Sequence, residues 1–125
     1  MTCLITLSCQ GQHADFKSVS VDEFAQVIAD TTVMLLDVRT ADEHVAGYIE
    51  GAALHIDVLK PDFDSLAVSR IPAESTVALY CRSGNRSKRA ASSLASKGYH
   101  VIELATGYNG WVQAGKPVAT AKETK

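Results

Sequence analysis

The residues of this 125-residue chain best placed to do chemistry are seven in a row, Cys81-Arg82-Ser83-Gly84-Asn85-Arg86-Ser87. They follow an apolar run, Thr76-Val77-Ala78-Leu79-Tyr80, and lead into Ser87 to Lys97, where Ala90, Ala91, Leu94 and Ala95 share one helical face. The run reads as a strand with Cys81 at its carboxyl end, and the later segment as a helix ended by Gly98. A loop between two such elements can curl so that successive backbone N–H groups point inward, and the helix adds its positive amino end. Donors of that kind favour a thiolate, bringing a cysteine from about 8.5 to about 3.5–7.5. Gly84 gives the backbone freedom that the curl needs. Arg82, Arg86, Lys88 and Arg89 place four positive side chains in eight positions of a chain with formal net charge −2, which attracts a small anion. The chemistry implied is attack by a thiolate on an anionic substrate.

A lone cysteine at a strand end is more often an inert, buried residue. The flanking Arg-Ser-Gly-Asn-Arg-Ser is too polar to be packing around such a residue, which favours the reactive reading. Arg86, at the junction of loop and helix, suits closing the loop by bonding its carbonyls; the alternative is a solvated surface charge. Arg82 has a weaker claim than Arg86, its alternative being to point into solvent at the rim.

The elements that must position this loop are also legible. Ser20-Val21-Asp22-Glu23 is a capping box, followed by Phe24, Val27 and Ile28 on one helical face. Val33 to Val38 is a continuous apolar run broken only by Asp37, the mark of a buried strand in a parallel sheet. Thr40-Ala41-Asp42-Glu43 is a second capping box whose helix Gly47 should stop, and Tyr48 to Ile56 holds a short strand at most. Asp62 to Ser69 is a helix closed by Pro72, Val101 to Leu104 a third strand, and Gly107 to Ala114 a short helix that Trp111 anchors in the core. Strands alternating with helices define an α/β domain with helices on both faces of a mostly parallel sheet, and ligands of such sheets sit outside the carboxyl ends of the strands. Residues 1–17 read as an irregular N-terminal segment, 18–118 as the domain, and 119–125 as a polar tail.

Composition narrows the class. The chain is 46% hydrophobic and 21% charged, the balance of an ordinary globule, and its net charge argues against a nucleic-acid partner, which needs a basic face. No apolar run approaches the roughly 20 residues of a membrane span. Three cysteines, Cys3, Cys9 and Cys81, are too few for a disulfide framework. The chain as it stands reads as cytoplasmic. Leu7-Ser8-Cys9 looks like the end of a bacterial lipoprotein signal, and the alternative is a periplasmic or lipid-anchored protein attached at Cys9. His13, His44, His55 and His100 lack the spacing of metal ligands, and only His55 is placed to line a pocket.

From Ser18 to Val118 the sequence resembles the single-domain rhodaneses, a family of sulfurtransferases. The resemblance is carried by Leu36-Asp37-Val38-Arg39, by Glu43 and Gly47-Tyr48-Ile49-Glu50-Gly51-Ala52, by Tyr80-Cys81-Arg82-Ser83-Gly84-Asn85-Arg86-Ser87, and by Gly107-Tyr108-Asn109-Gly110-Trp111. It implies a five-stranded parallel sheet flanked by helices, with Cys81 the residue that becomes persulfidated. The loop from Arg82 to Arg86 then wraps the sulfur with N–H groups, and Ser87 begins the next helix. Asp37 and Arg39 sit beside the loop in this picture, tying neighbouring loops together, with Arg39 helping to bind the anionic donor. For Asp37, a strand-end cap bonding backbone amides has equal weight. Tyr48 stands where the family commonly has histidine, and His55 lies one residue later than the usual Asn or His of its turn, so the pocket wall departs from the pattern.

The implied reaction moves sulfane sulfur from a small anionic donor such as thiosulfate to a thiophilic acceptor, cyanide or a thiol, with no metal or organic cofactor. Two rivals stand beside it. A cysteine-dependent phosphatase or arsenate reductase uses a similar loop, but typically with five residues between cysteine and arginine where this chain has four, Arg82 to Asn85. A persulfide relay or docking module for a partner protein is the other, and the sequence does not separate it from free sulfur transfer.

Overall fold

The computed structural model describes residues 15–52 and 54–120. The expectations for Cys3, Cys9 and His13 lie outside them. The five-stranded parallel sheet is built from β1 (Lys17–Val19), β2 (Met34–Asp37), β4 (Leu54–His55), β5 (Thr76–Tyr80) and β6 (His100–Leu104), in the order β1-β6-β5-β2-β4. Every pairing in it is parallel. A separate antiparallel ribbon joins β3 (Tyr48–Ile49) to β7 (Val118–Ala119). The stretch from Tyr48 to Ile56 thus holds two strands in two different sheets, and Ala119, at the start of the stretch read as tail, is paired.

Five helices connect the strands: α1 (Val21–Ile28), α2 (Ala41–Ala46), α3 (Phe63–Arg70), α4 (Asn85–Ala95) and α5 (Gly107–Gln113). Ser20 Oγ accepts from the Glu23 N–H to cap α1. At α2 the box closes both ways, with Glu43 N–H on Thr40 Oγ1 and Thr40 N–H on Glu43 Oε1. Helix α3 stops at Ile71, which takes the extended backbone that a following proline imposes.

Side chains alternate across a strand, and here the alternation divides the core in two. Val77, Leu79 and Cys81 pack with Phe63 and Ala67 of α3 and Ala90, Ala91 and Leu94 of α4. Ala78 and Tyr80 face the other way, toward Phe24 of α1 and Trp111 of α5. Trp111 meets Phe24 edge-on at 6.1 Å and donates its Nε1–H to Pro117 O at 2.8 Å, anchoring α5 as expected. Cys81 is therefore delivered to the α4 side of the sheet, at the carboxyl end of its central strand.

Candidate functional site

Cys81 is 1% exposed, and the chain after it turns back on itself. The turn rests on Gly84, whose φ of +105° is left-handed and whose missing Cβ would lie 2.2 Å from Ala105 O. That conformation aims the Gly84 N–H at Cys81 Sγ, 3.1 Å away. Ser87 Oγ stands 3.4 Å from the same sulfur. Burial opposes ionisation of Cys81, but the Ser87 hydroxyl and the backbone N–H groups of Ser87, Gly84 and Ser83 outweigh it and hold the thiol below its ordinary value.

The carbonyls of the loop point the other way. Tyr108 N–H donates to Cys81 O at 2.8 Å and Asn109 N–H to Arg82 O at 3.0 Å, so the unsatisfied amino end of α5 grips the loop from behind. Gly107, at φ +68°, allows this approach: a Cβ there would lie 2.5 Å from Arg82 O. Lys88 Nζ bonds Gly84 O at 3.0 Å. The sequence offered Gly107 and Tyr108 as the start of a short helix and as part of a resemblance, and nothing in it paired them with residues 25 or more positions away.

Helix α4 starts at Asn85, two residues ahead of the expected Ser87, because Gly84 already occupies the N-cap position. Ser87 is thus inside the first turn and buried, which is how its hydroxyl reaches the sulfur. Arg86 differs from expectation as well. Its guanidinium bonds the Glu43 carboxylate, Nη1 to Oε1 at 2.8 Å and Nη2 to Oε2 at 3.0 Å, where loop carbonyls were expected. A carboxylate across the cleft offers two charged acceptors in one plane, which the fork of a guanidinium matches better than single carbonyls. Arg82, Ser83 and Asn85 are exposed.

Asp37 and Arg39 are buried together at the end of β2. Arg39 Nε and Nη2 clasp Asp37 Oδ1 and Oδ2 at 3.0 and 2.7 Å, and Nη2 also reaches Gly47 O at 2.6 Å. The Arg39 N–H donates to Asp37 Oδ1, the strand-end bonding given as one reading of Asp37. His44 Nδ1 and the Tyr80 hydroxyl complete the shell, 2.8 and 3.1 Å from Oδ2. Burial pushes the Asp37 carboxyl up, but the hydrogen bonds from Arg39 and His44 prevail and keep it below its ordinary value. The guanidinium carbon lies 4.2 Å from the Tyr108 ring centroid, so the pair braces β2, β5 and α5 against one another.

On the open side, Arg39, Glu43, Gly47, Arg82, Tyr108 and Asn109 line a cavity of about 220 Å³. Arg39 and Arg82 give it positive edges beside the Cys81 loop. A cavity of about 370 Å³ opens at the opposite, amino ends of β1, β5 and β6, lined by Lys17, Thr76 and His100 among others. It is the larger one, but the chemistry sits at the carboxyl ends, where parallel sheets hold ligands.

His44 stacks between Tyr48 at 4.4 Å and His55 at 4.5 Å, and His55 Nε2 meets Arg39 O at 2.8 Å. These three residues flank the Asp37 cluster, a grouping that sequence spacing did not reveal. Among the described residues no helix is long and apolar enough to cross a membrane.

A parallel α/β sheet carrying a buried cysteine in an N–H-lined loop at its carboxyl edge defines a class of thiolate-cradling domains. Residues 20–114 match the model of the rhodanese-like domain, and the chain belongs to that family. It is 35% identical over 102 residues to a sulfurtransferase of Allochromatium vinosum, covering 80% of this chain and 92% of the relative. It is 36% identical over 90 residues to the mitochondrial Protein HIGH ARSENIC CONTENT 1 of Arabidopsis thaliana, 64% of this chain and 53% of that one. Its fold matches the solution structure of a rhodanese-like domain from Anabaena with a TM-score of 0.74 at 22% identity, over 89% of this chain and 84% of the other.

Proposed function

We propose that the protein is a sulfurtransferase in which Cys81 carries the sulfur as a persulfide. The observation that carries this reading is the Gly84 N–H set 3.1 Å from a buried Cys81 Sγ, with the loop carbonyls drawn outward by α5. Such a cradle favours an anion on sulfur both before and after transfer. Cys81 thiolate attacks the outer sulfur of thiosulfate, the new S–S bond forms as the bond to sulfite breaks, and sulfite leaves with the electron pair. The terminal sulfur of the persulfide then carries the charge that the N–H groups stabilise, as an oxyanion hole holds a developing alkoxide. Cyanide or a thiol removes that sulfur and restores the thiolate, with no metal or organic cofactor. The similarity to the Allochromatium sulfurtransferase, nearly along its whole length, supports the same class of reaction.

Arg82 and Arg39, on the cavity beside the loop, attract the dianionic donor. Arg39 acts through its field, since Nε and Nη2 are already bonded to Asp37 and Gly47. The test is intact mass after incubation with thiosulfate, for the wild type and Cys81→Ser, before and after cyanide. Gain of one sulfur by the wild type alone, removed by cyanide as thiocyanate, is the expected result; no uptake from thiosulfate or any other sulfane donor overturns it. A relay to a protein thiol would load in the same way but discharge faster to that thiol than to cyanide. The Arabidopsis relative's name, which refers to arsenic content, makes arsenate the second anion to test. Arsenate reduction or aryl phosphate hydrolysis that vanishes in Cys81→Ser would favour the oxyanion reading.

A further inference from the structure

Glu103 is a fully buried carboxylate for which sulfur transfer as described has no use. In the sheet register it lies between Ser18 of β1 and Leu79 of β5, on the same face as Val101 and Leu79, toward α4. Its oxygens accept from Ser18 Oγ, from Ser87 Oγ at 2.5 Å, and from Lys88 Nζ at 3.3 and 3.5 Å. Ser87 Oγ is also the hydroxyl that stands 3.4 Å from Cys81 Sγ. One serine therefore bridges a buried acid and the sulfur.

A hydroxyl has a single hydrogen to donate and lone pairs to accept with. Ser87 can donate to ionised Glu103 while accepting the S–H of Cys81. It can also turn that hydrogen to a Cys81 thiolate. It cannot donate to both anions at once. Among the described residues the other charged group facing Glu103 is Lys88 of α4, whose side chain is half exposed, and β1 presents the hydroxyl of Ser18.

We propose that Glu103 is a positioning residue for Cys81 that acts through Ser87, competing with the Cys81 thiolate for the single hydrogen of Ser87 and so weakening that donor at the sulfur. The inference rests on Cys81 as the nucleophile, but its readout is the ionisation of Cys81, so it stands or falls independently of sulfur uptake from any donor.

The experiment is the pH dependence of Cys81 alkylation by iodoacetamide, followed on the Cys81 peptide by mass spectrometry. It compares wild type, Glu103→Gln, Ser87→Ala and the double variant, each checked for folding by circular dichroism. Glu103→Gln removes the competing anion and should lower the midpoint by on the order of one pH unit, as the Ser87 hydrogen is freed to stabilise the thiolate. In the Ser87→Ala background the same substitution should move it by less than a third as much, since the bridge is gone. An equal shift in both backgrounds, or no shift in the first, overturns the proposal. Glu103→Asp gives a second reading by the same assay, keeping the charge on β6 but drawing it back from Ser87 by one methylene. A midpoint below that of the wild type supports the competition for the Ser87 hydrogen, since the charge stays but no longer reaches Ser87; a midpoint equal to the wild type refutes it, even if Glu103→Gln fails to fold.

Discussion

Arg86, in the first turn of the helix after the Cys81 loop, grips Glu43 of α2 through two hydrogen bonds of 2.8 and 3.0 Å. Glu43 is also the N3 residue that closes the capping box on Thr40. One carboxylate thus starts α2 and ties it to α4, so the loop bearing Cys81 and the turn following Arg39 are held in fixed relation.

That pair should set part of the acid stability. The Arg86 guanidinium, with Thr40, holds the Glu43 carboxyl down from 4.5 to about 2. A carboxyl depressed in the folded state stabilises the fold above its unfolded value, and the contribution is lost as pH falls through the folded one. Solvent screens the pair on its open side, so it contributes about 1–2 kcal/mol at neutral pH. Glu43→Gln keeps the capping box, which accepts glutamine, and removes only the charge. Urea unfolding should find the variant less stable by that amount at pH 7, with the difference shrinking between about pH 4.5 and 2. A difference constant across that range would contradict the assignment.

Asp37 should matter more to the fold than to the chemistry. Asp37→Asn leaves Arg39, 3% exposed, beside a neutral amide, and an uncompensated buried charge costs about 3–5 kcal/mol. The expected outcome is a large fall in Tm, with sulfur loading preserved in whatever fraction stays folded.

Two glycines whose φ differs by only 7° make a controlled comparison. Gly84 at φ +105° faces Ala105 O, 2.2 Å from where a Cβ would be, while Gly98 at φ +98° has nothing within 4 Å. Gly98→Ala therefore meets only the left-handed strain, about 1 kcal/mol, and should load sulfur normally. Gly84→Ala must also move the loop off Ala105, which withdraws the Gly84 N–H from Cys81. It should lose well over 1 kcal/mol and lose thiolate reactivity at neutral pH, both read from unfolding curves and alkylation rates.

These residues also mark where the sequence could be read and where it could not. The Cys81 loop was visible because an apolar strand ends abruptly in polar residues and a small-residue helix resumes at once, a local pattern. The partner of Arg86 was not visible, because the choice between loop carbonyls and Glu43 depends on how α2 packs 43 positions away. Nothing in the strand Val101-Ile102-Glu103-Leu104 set Glu103 apart, and only the sheet order, with β6 flanked by β1 and β5, makes it interior. The stack of Tyr48, His44 and His55 was hidden for the same reason: its members come from a helix and two strands of different sheets, which adjoin only in the fold.

Burial pushes the Cys81 thiol up, and the fold prevails over burial with the Ser87 hydroxyl and the N–H groups of Ser87, Gly84 and Ser83. The alkylation midpoint should therefore lie below the roughly 8.5 of a free thiol. Ser87→Ala removes one of these donors and should raise the midpoint while leaving the Gly84 contact in place. Linkage fixes the sign for stability: a thiol depressed in the folded state makes its contribution above the unfolded value and loses it as pH falls through the folded one. The wild type should then gain stability over Cys81→Ala as pH rises toward 9, with the gain levelling off above the unfolded thiol value. A gain of the same size at pH 6 would mean that Cys81 stabilises the fold by packing, and that the loop donors do not favour its ionised form.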